Sequence, residues 1–131
     1  MKKFAIISFV LVIGLCLGAN SIAADRGAIE KAVAAVSKQM CAPGGSAEGA
    51  CKANQPPAGL YVFIMKKSDG MLVVHPTLSG KSLKADKYKV IYDQLIKATS
   101  DGKWVQYMWK GNQKNTYAIL TDTDYIVGCG Y

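Results

Sequence analysis

The apolar positions of the chain lay out a helix, a loop and then a sheet with a second helix inside it. Ile29, Val33, Val36 and Met40 recur at spacings of four, three and four, while Glu30, Lys31 and Lys38 fall elsewhere on the wheel. That is the period of a helix with one buried stripe. Asp25 is a suitable N-cap, and Pro43-Gly44-Gly45 stops the helix. Residues 43–58, mostly glycine, alanine and proline, read as loop. "GLYVFIMKK" is a strand rich in aromatic and β-branched residues, "SDG" a tight turn, and "MLVVH" the returning strand. Pro76 ends that strand because it has no amide proton for the ladder.

After an irregular crossing, "PTLSGKSLKAD", the period changes back to that of a helix. In "KYKVIYDQLIKATS" the residues Tyr88, Ile91, Tyr92, Leu95 and Ile96 fall on one side. Three strands follow, "KWVQYMWK", "KNTYAILT" and "DYIVGCGY", joined by a "GNQ" turn and a "TDTD" corner. Short connections make neighbouring strands antiparallel. The expected class is α+β: an N-terminal helix and a sheet of about five antiparallel strands wrapped around one further helix. Within the third strand Val105, Tyr107 and Trp109 share one face, and Trp104, Gln106 and Met108 share the other.

The first residues read differently. Lys2 and Lys3 precede an uncharged run from Phe4 to Ala19, and "ANSIAAD" supplies small residues for cleavage. This is the build of a secretory signal over residues 1–23, cut near Ala23 or Ala24. The run is shorter than the roughly 20 apolar residues of a membrane span, so an uncleaved anchor is the lesser reading. "VIGLC" lacks the small residues that would mark Cys16 for lipid attachment. Residues 24–57 then form a helix and loop ahead of a core over residues 58–131, in a secreted or periplasmic protein.

The charge is +7, yet the chain has a single arginine, Arg26, and its lysines are scattered. Nucleic-acid readers favour arginine forks and clustered basic residues, so nucleic acid is not an expected partner. An anionic small ligand suits the charge better, as does a simply solvated surface. Export permits disulfides. Cys41 and Cys51 enclose "APGGSAEGA", and a bridge between them would stabilise by about 2–3 kcal/mol. Cys129 is then the odd thiol, although its pairing with either partner stays open. No metal or other cofactor is expected, because the lone His75 has no second histidine beside it and "TDTD" falls short of a calcium loop. No nucleophile elbow or activated cysteine motif is present, so the chain is not read as an enzyme.

Six short words occur in order over residues 58–131: "YVFIM", "DG.LVVHP", "GK.L", "KWVQYMW", "K.TY" and "DYIVGCGY". Together they resemble the extracytoplasmic single Cache domain, a PAS-like sensory module of bacterial chemoreceptors and histidine kinases. Three departures accompany the likeness: a short segment after Gly80-Lys81, an abbreviated "KGNQKN" hairpin, and a chain that stops at Tyr131. The resemblance implies a free-standing sensory domain. It would bind a short organic anion such as a carboxylate and present it to a membrane receptor or histidine kinase. A ligand-free structural or interaction domain of the same fold is the alternative. A homodimer through the first helix stays open.

On this reading Lys114, matching the family's strand-opening lysine, is the charge partner of the ligand; otherwise it is a solvated strand-end lysine. Tyr107 and Trp109 would line the cavity, with Tyr117 on the neighbouring strand. Tyr61 and Phe63 are assigned to the core rather than the site. His75 either caps the second strand or serves as a donor at the cavity rim.

Overall fold

The computed structural model describes residues 26–131. The expected signal segment and the Asp25 cap lie outside these residues.

The first helix, α1, runs through residues 26–41 and buries the stripe its spacing predicts: Ile29, Val33 and Val36 are fully buried, and Met40 is half-buried. The predicted loop that follows contains a second helix, α2 (Ala47–Ala53). Its start is set by Ser46, whose hydroxyl accepts from the Gly49 amide and so satisfies one orphan donor of the first turn. Apart from Ala50 it buries nothing, so no apolar period betrayed it.

β1 (Val62–Lys66) and β2 (Leu72–Val74) form the first hairpin. Asp69 Oδ1 accepts from the Met71 amide at 3.0 Å, and Gly70 supplies the positive φ of 71° that closes the turn. The crossing after His75 is ordered by pairing: the Leu72 amide donates to the Lys81 carbonyl, Gly80 donates back to Leu72, and Met71 bridges Ser82. The outer edge of β2 is thereby covered.

The later helix is shorter than its pattern. A 3₁₀ turn at Asp86–Tyr88 leads into α3 (Lys89–Leu95), which buries Ile91 and Leu95. Tyr88, Tyr92 and Ile96 pack partly buried against the same core. The last strands are β3 (Lys103–Trp109), β4 (Asn112–Leu120) and β5 (Tyr125–Gly130).

The five strands form one antiparallel sheet in the order β2-β1-β5-β4-β3. Helices cover both faces, not one. α3 packs with Phe63, Met65, Leu72, Val105, Ala118 and Ile126 on one side. On the other, α1 and α2 pack with Val62, Ile64, Val127 and Cys129. The sheet is thus the middle of three layers, and alternate residues of each strand feed two separate cores. No helix among the described residues is long and apolar enough to cross a membrane.

Candidate functional site

A cavity of about 90 Å³ opens on the α3 side of the sheet. Its floor is apolar, from Phe63 and Leu72 on the sheet to Ile91 and Leu95 on α3, with Leu78 and Leu83 supplied by the crossing. Its polar lining is Tyr61, His75, Tyr107, Lys114 and Thr116, and among the described residues no carboxylate faces it. Four of the five residues expected to bind a ligand, His75, Tyr107, Trp109 and Lys114, therefore meet in one place.

The register explains the meeting. Tyr107 is paired with Lys114, and Val105 with Thr116; directly opposed residues of an antiparallel pair share a face. Tyr107 and Thr116 are joined by a hydroxyl–hydroxyl hydrogen bond of 3.0 Å. Burial is the main influence on the Tyr107 phenol and raises its pKa, against the opposing pull of the Thr116 bond. It is a neutral donor or acceptor at any physiological pH. Lys114 is half-buried. The one ion pair among the described residues joins Lys89 to Asp93 on α3, 3.0 Å apart, so the Lys114 ammonium is not neutralised in this way. Trp109 closes the side of the site and stacks at a tilt on Tyr88, with centroids 5.7 Å apart.

His75 caps the turn after β2 and also lines the cavity. Its Nδ1 accepts from the amides of Thr77 and Leu78, at 3.1 and 3.0 Å, so the ring caps the turn that follows β2. Ser79 closes the same turn by accepting from the His75 amide and donating to its carbonyl, each at 2.9 Å. With Nδ1 an acceptor, the ring's proton belongs on Nε2. Burial lowers the pKa of the ring below its usual value and favours this neutral form. The same ring lines the cavity and meets Tyr61 edge to face, with centroids 5.0 Å apart.

Tyr117 is not part of the site. It pairs with Trp104, stacks on it at 5.5 Å, and donates its hydroxyl to the Asp101 carbonyl at 3.1 Å on the α1 side of the sheet. Tyr61, assigned to the core from its strand alternation, is instead 44% exposed and stands at the cavity rim. Phe63 is core and floor at once. Thr116 was missed, though its two-residue spacing from Lys114 signals a common face.

The cysteines lie away from the cavity. Cys41, Cys51 and Cys129 are all free thiols, so the expected Cys41–Cys51 bridge is not formed in the structure. Cys41 is exposed, with its sulfur 3.8 Å from the Thr123 hydroxyl. Burial drives the Cys129 thiol up to about 11, an unreactive core group. Among the described residues no cluster of three or more His, Cys, Asp or Glu could hold a metal ion.

No protein-family model and no curated protein matches the chain.

Proposed function

We propose that the protein binds a short organic anion, a small monocarboxylate, in the cavity between α3 and the sheet. The observation that carries this reading is the lining: one lysine, several hydroxyls and an imidazole above an apolar floor, with no acidic side chain among the described residues. A carboxylate set against Lys114, with Tyr107 and Thr116 as hydroxyl partners, would leave its hydrocarbon end to Phe63 and Leu72. The 90 Å³ volume sets the size. It equals about three waters at roughly 30 Å³ each, room for an acid of a few carbons.

The reading is one of a binder rather than a catalyst. His75 spends Nδ1 on two backbone amides, and neither Tyr107 nor Thr116 has a base to activate it. The likeness to Cache domains supports the same role and extends it. The chain would be an exported sensory domain whose loaded state is presented to a membrane receptor or kinase. A second reading, a domain of this fold that serves as an interaction module without ligand, is favoured by the small volume. Ligand pockets commonly measure about 300–1,000 Å³.

Thermal melting against acetate, propionate, lactate and pyruvate, with acetamide and propionamide as neutral controls, tests the proposal. An acid at about a hundred times its Kd stabilises by about 2.7 kcal/mol, a rise of roughly 10–20 °C for a domain of this size. Lys114→Ala should remove the shift and leave the unliganded melt in place. Equal shifts with acids and amides, or none with either, would defeat the anion reading.

A further inference from the structure

The sheet has one closed edge and one open edge. β2 is covered by the Gly80–Ser82 return, whereas β3, at the other end of the strand order, pairs only with β4 among the described residues. Which of its groups are open follows from the turn. Lys110 and Gly111 both take positive φ, 49° and 79°, the form of a two-residue type I′ hairpin turn, which closes on a hydrogen-bonded pair. Trp109 and Asn112 are that pair, so the odd-numbered residues of β3 bond inward to β4. The ladder across β4 agrees: Asn115 exchanges both its bonds with Tyr131, on the far side, at 2.9 and 3.0 Å. The amides and carbonyls of Trp104, Gln106 and Met108 therefore point outward, a row of donors and acceptors that strands leave bare only at some hazard.

A groove runs along this edge, lined by Arg26, Lys97 and Lys103 together with Gln94, Gln106 and Asn115 and, among the described residues, by no acidic side chain. Lys110 stands at the other end of the strand. Arg26 is held there, with its guanidinium 4.3 Å from the Trp104 ring centroid and its Nε donating to the Tyr131 hydroxyl at 3.0 Å. Met108, 57% exposed, gives the strand an apolar contact on the same face as Trp104.

We propose that the β3 edge is a docking strand for an extended acidic segment of another protein, which adds to the sheet as a sixth strand. The backbone row supplies the affinity of strand addition, and the cations at both ends select for acidic side chains. A second copy of this chain is a poor occupant: antiparallel pairing of two β3 edges about Gln106 sets the Lys103 end of each against the Lys110 end of the other. The chain's +7 charge adds to that repulsion. The groove and the anion cavity share no lining residue, but both touch β3, where Val105 lines the groove and Tyr107 and Trp109 the cavity.

The test follows amide hydrogen exchange of the full chain with a blocked nine-residue peptide of alternating threonine and glutamate. The control replaces glutamate by lysine. Trp104, Gln106 and Met108 should exchange rapidly in the dilute protein and slow by at least roughly tenfold with the glutamate peptide only. Gln106→Pro, a residue an edge strand tolerates where its amide faces outward, should abolish that protection. Lys97→Glu with Lys103→Glu should do so without touching the backbone, which decides the matter if the proline variant fails to fold. Protection of the three amides in the peptide-free protein, equal effects of both peptides, or no slowing with either would overturn the proposal. A concentration-dependent dimer protecting the same amides would make a second copy the occupant and overturn it as well.

Discussion

Gly128 and Phe63 face each other across β1 and β5, and the contact between them can be tested by adding one methyl group. A Cβ on Gly128 would stand 2.5 Å from Phe63 Cζ and 2.9 and 3.1 Å from the two Cε atoms. Carbon atoms rest at about 3.5–4.0 Å, so the ring must move by about 1 Å. Phe63 is only 5% exposed, and it borders the cavity beneath α3. Overpacking of this kind costs about 1–3 kcal/mol. The loss of chain freedom in the unfolded state returns about 0.4–1 kcal/mol. Gly128→Ala should therefore destabilise by about 1–2 kcal/mol and lower Tm by roughly 5–15 °C. Urea unfolding followed by the fluorescence of Trp104 and Trp109 measures the change. Phe63→Leu shortens the ring and makes room for the methyl. The double variant should be more stable than the sum of the singles by about 1 kcal/mol or more. Additivity within about 0.3 kcal/mol, or a neutral Gly128→Ala, would refute the clash. If the ring yields toward the cavity, Gly128→Ala also removes any carboxylate-dependent shift in melting.

The Tyr107–Thr116 bond gives a second cycle: Tyr107→Phe or Thr116→Val alone strands a buried hydroxyl at about 1–3 kcal/mol, while the pair together should lose less than the sum, as urea titration can show. The lowered pKa of His75 makes the unfolded state the better proton acceptor, so its contribution to stability is present above pH 6.5 and is lost as pH falls through the folded pKa. Melting from pH 8 to 5 should show this decline in the wild type. His75→Asn should flatten it, since an asparagine oxygen can accept from the same turn amides without titrating. With iodoacetamide at mildly alkaline pH, exposed Cys41 should react first and Cys129, with its pKa near 11, only after unfolding. Thiol counting on denatured, unreduced protein then decides the Cys41–Cys51 pairing. Three reactive groups among Cys41, Cys51 and Cys129 match the structure, and one would restore the bridge.

Periodicity carried much of this fold. The spacing of Ile29, Val33 and Val36 named the buried face of α1, and alternation along β3 separated Tyr107 and Trp109 from Trp104 and Met108. What it missed were features set by single turns. A three-residue "GNQ" turn over residues 111–113 would place Lys110 opposite Lys114 and so Tyr107 opposite Tyr117. The chain turns one residue earlier, on Lys110 and Gly111, with a non-glycine residue in the left-handed region. That sets Tyr117 opposite Trp104 instead and sends it to the other core. A register slip of one residue exchanges the two faces of a strand. Lys114 stayed in the site because its alternation with Thr116 and its pairing with Tyr107 both place it there. Tyr61 was misjudged for another reason: it precedes the first residue of β1, where burial no longer follows the alternation of the strand.

β5 follows β1 to β4 in the chain and is the central strand of the sheet, paired with β1 on one side and β4 on the other. Val62 finds its partner in Cys129, so the two hairpins on either side have no common ladder until β5 has left the ribosome. Contacts this distant in sequence form slowly, because the intervening chain must be ordered before they repay it. A nascent chain cut short before Tyr125 would hold two separate hairpins with exposed edges rather than a smaller version of the domain. Ribosomal stalling or truncation ahead of β5 should therefore yield protease-sensitive, aggregating fragments, whereas the arrival of β5 commits the whole sheet at once.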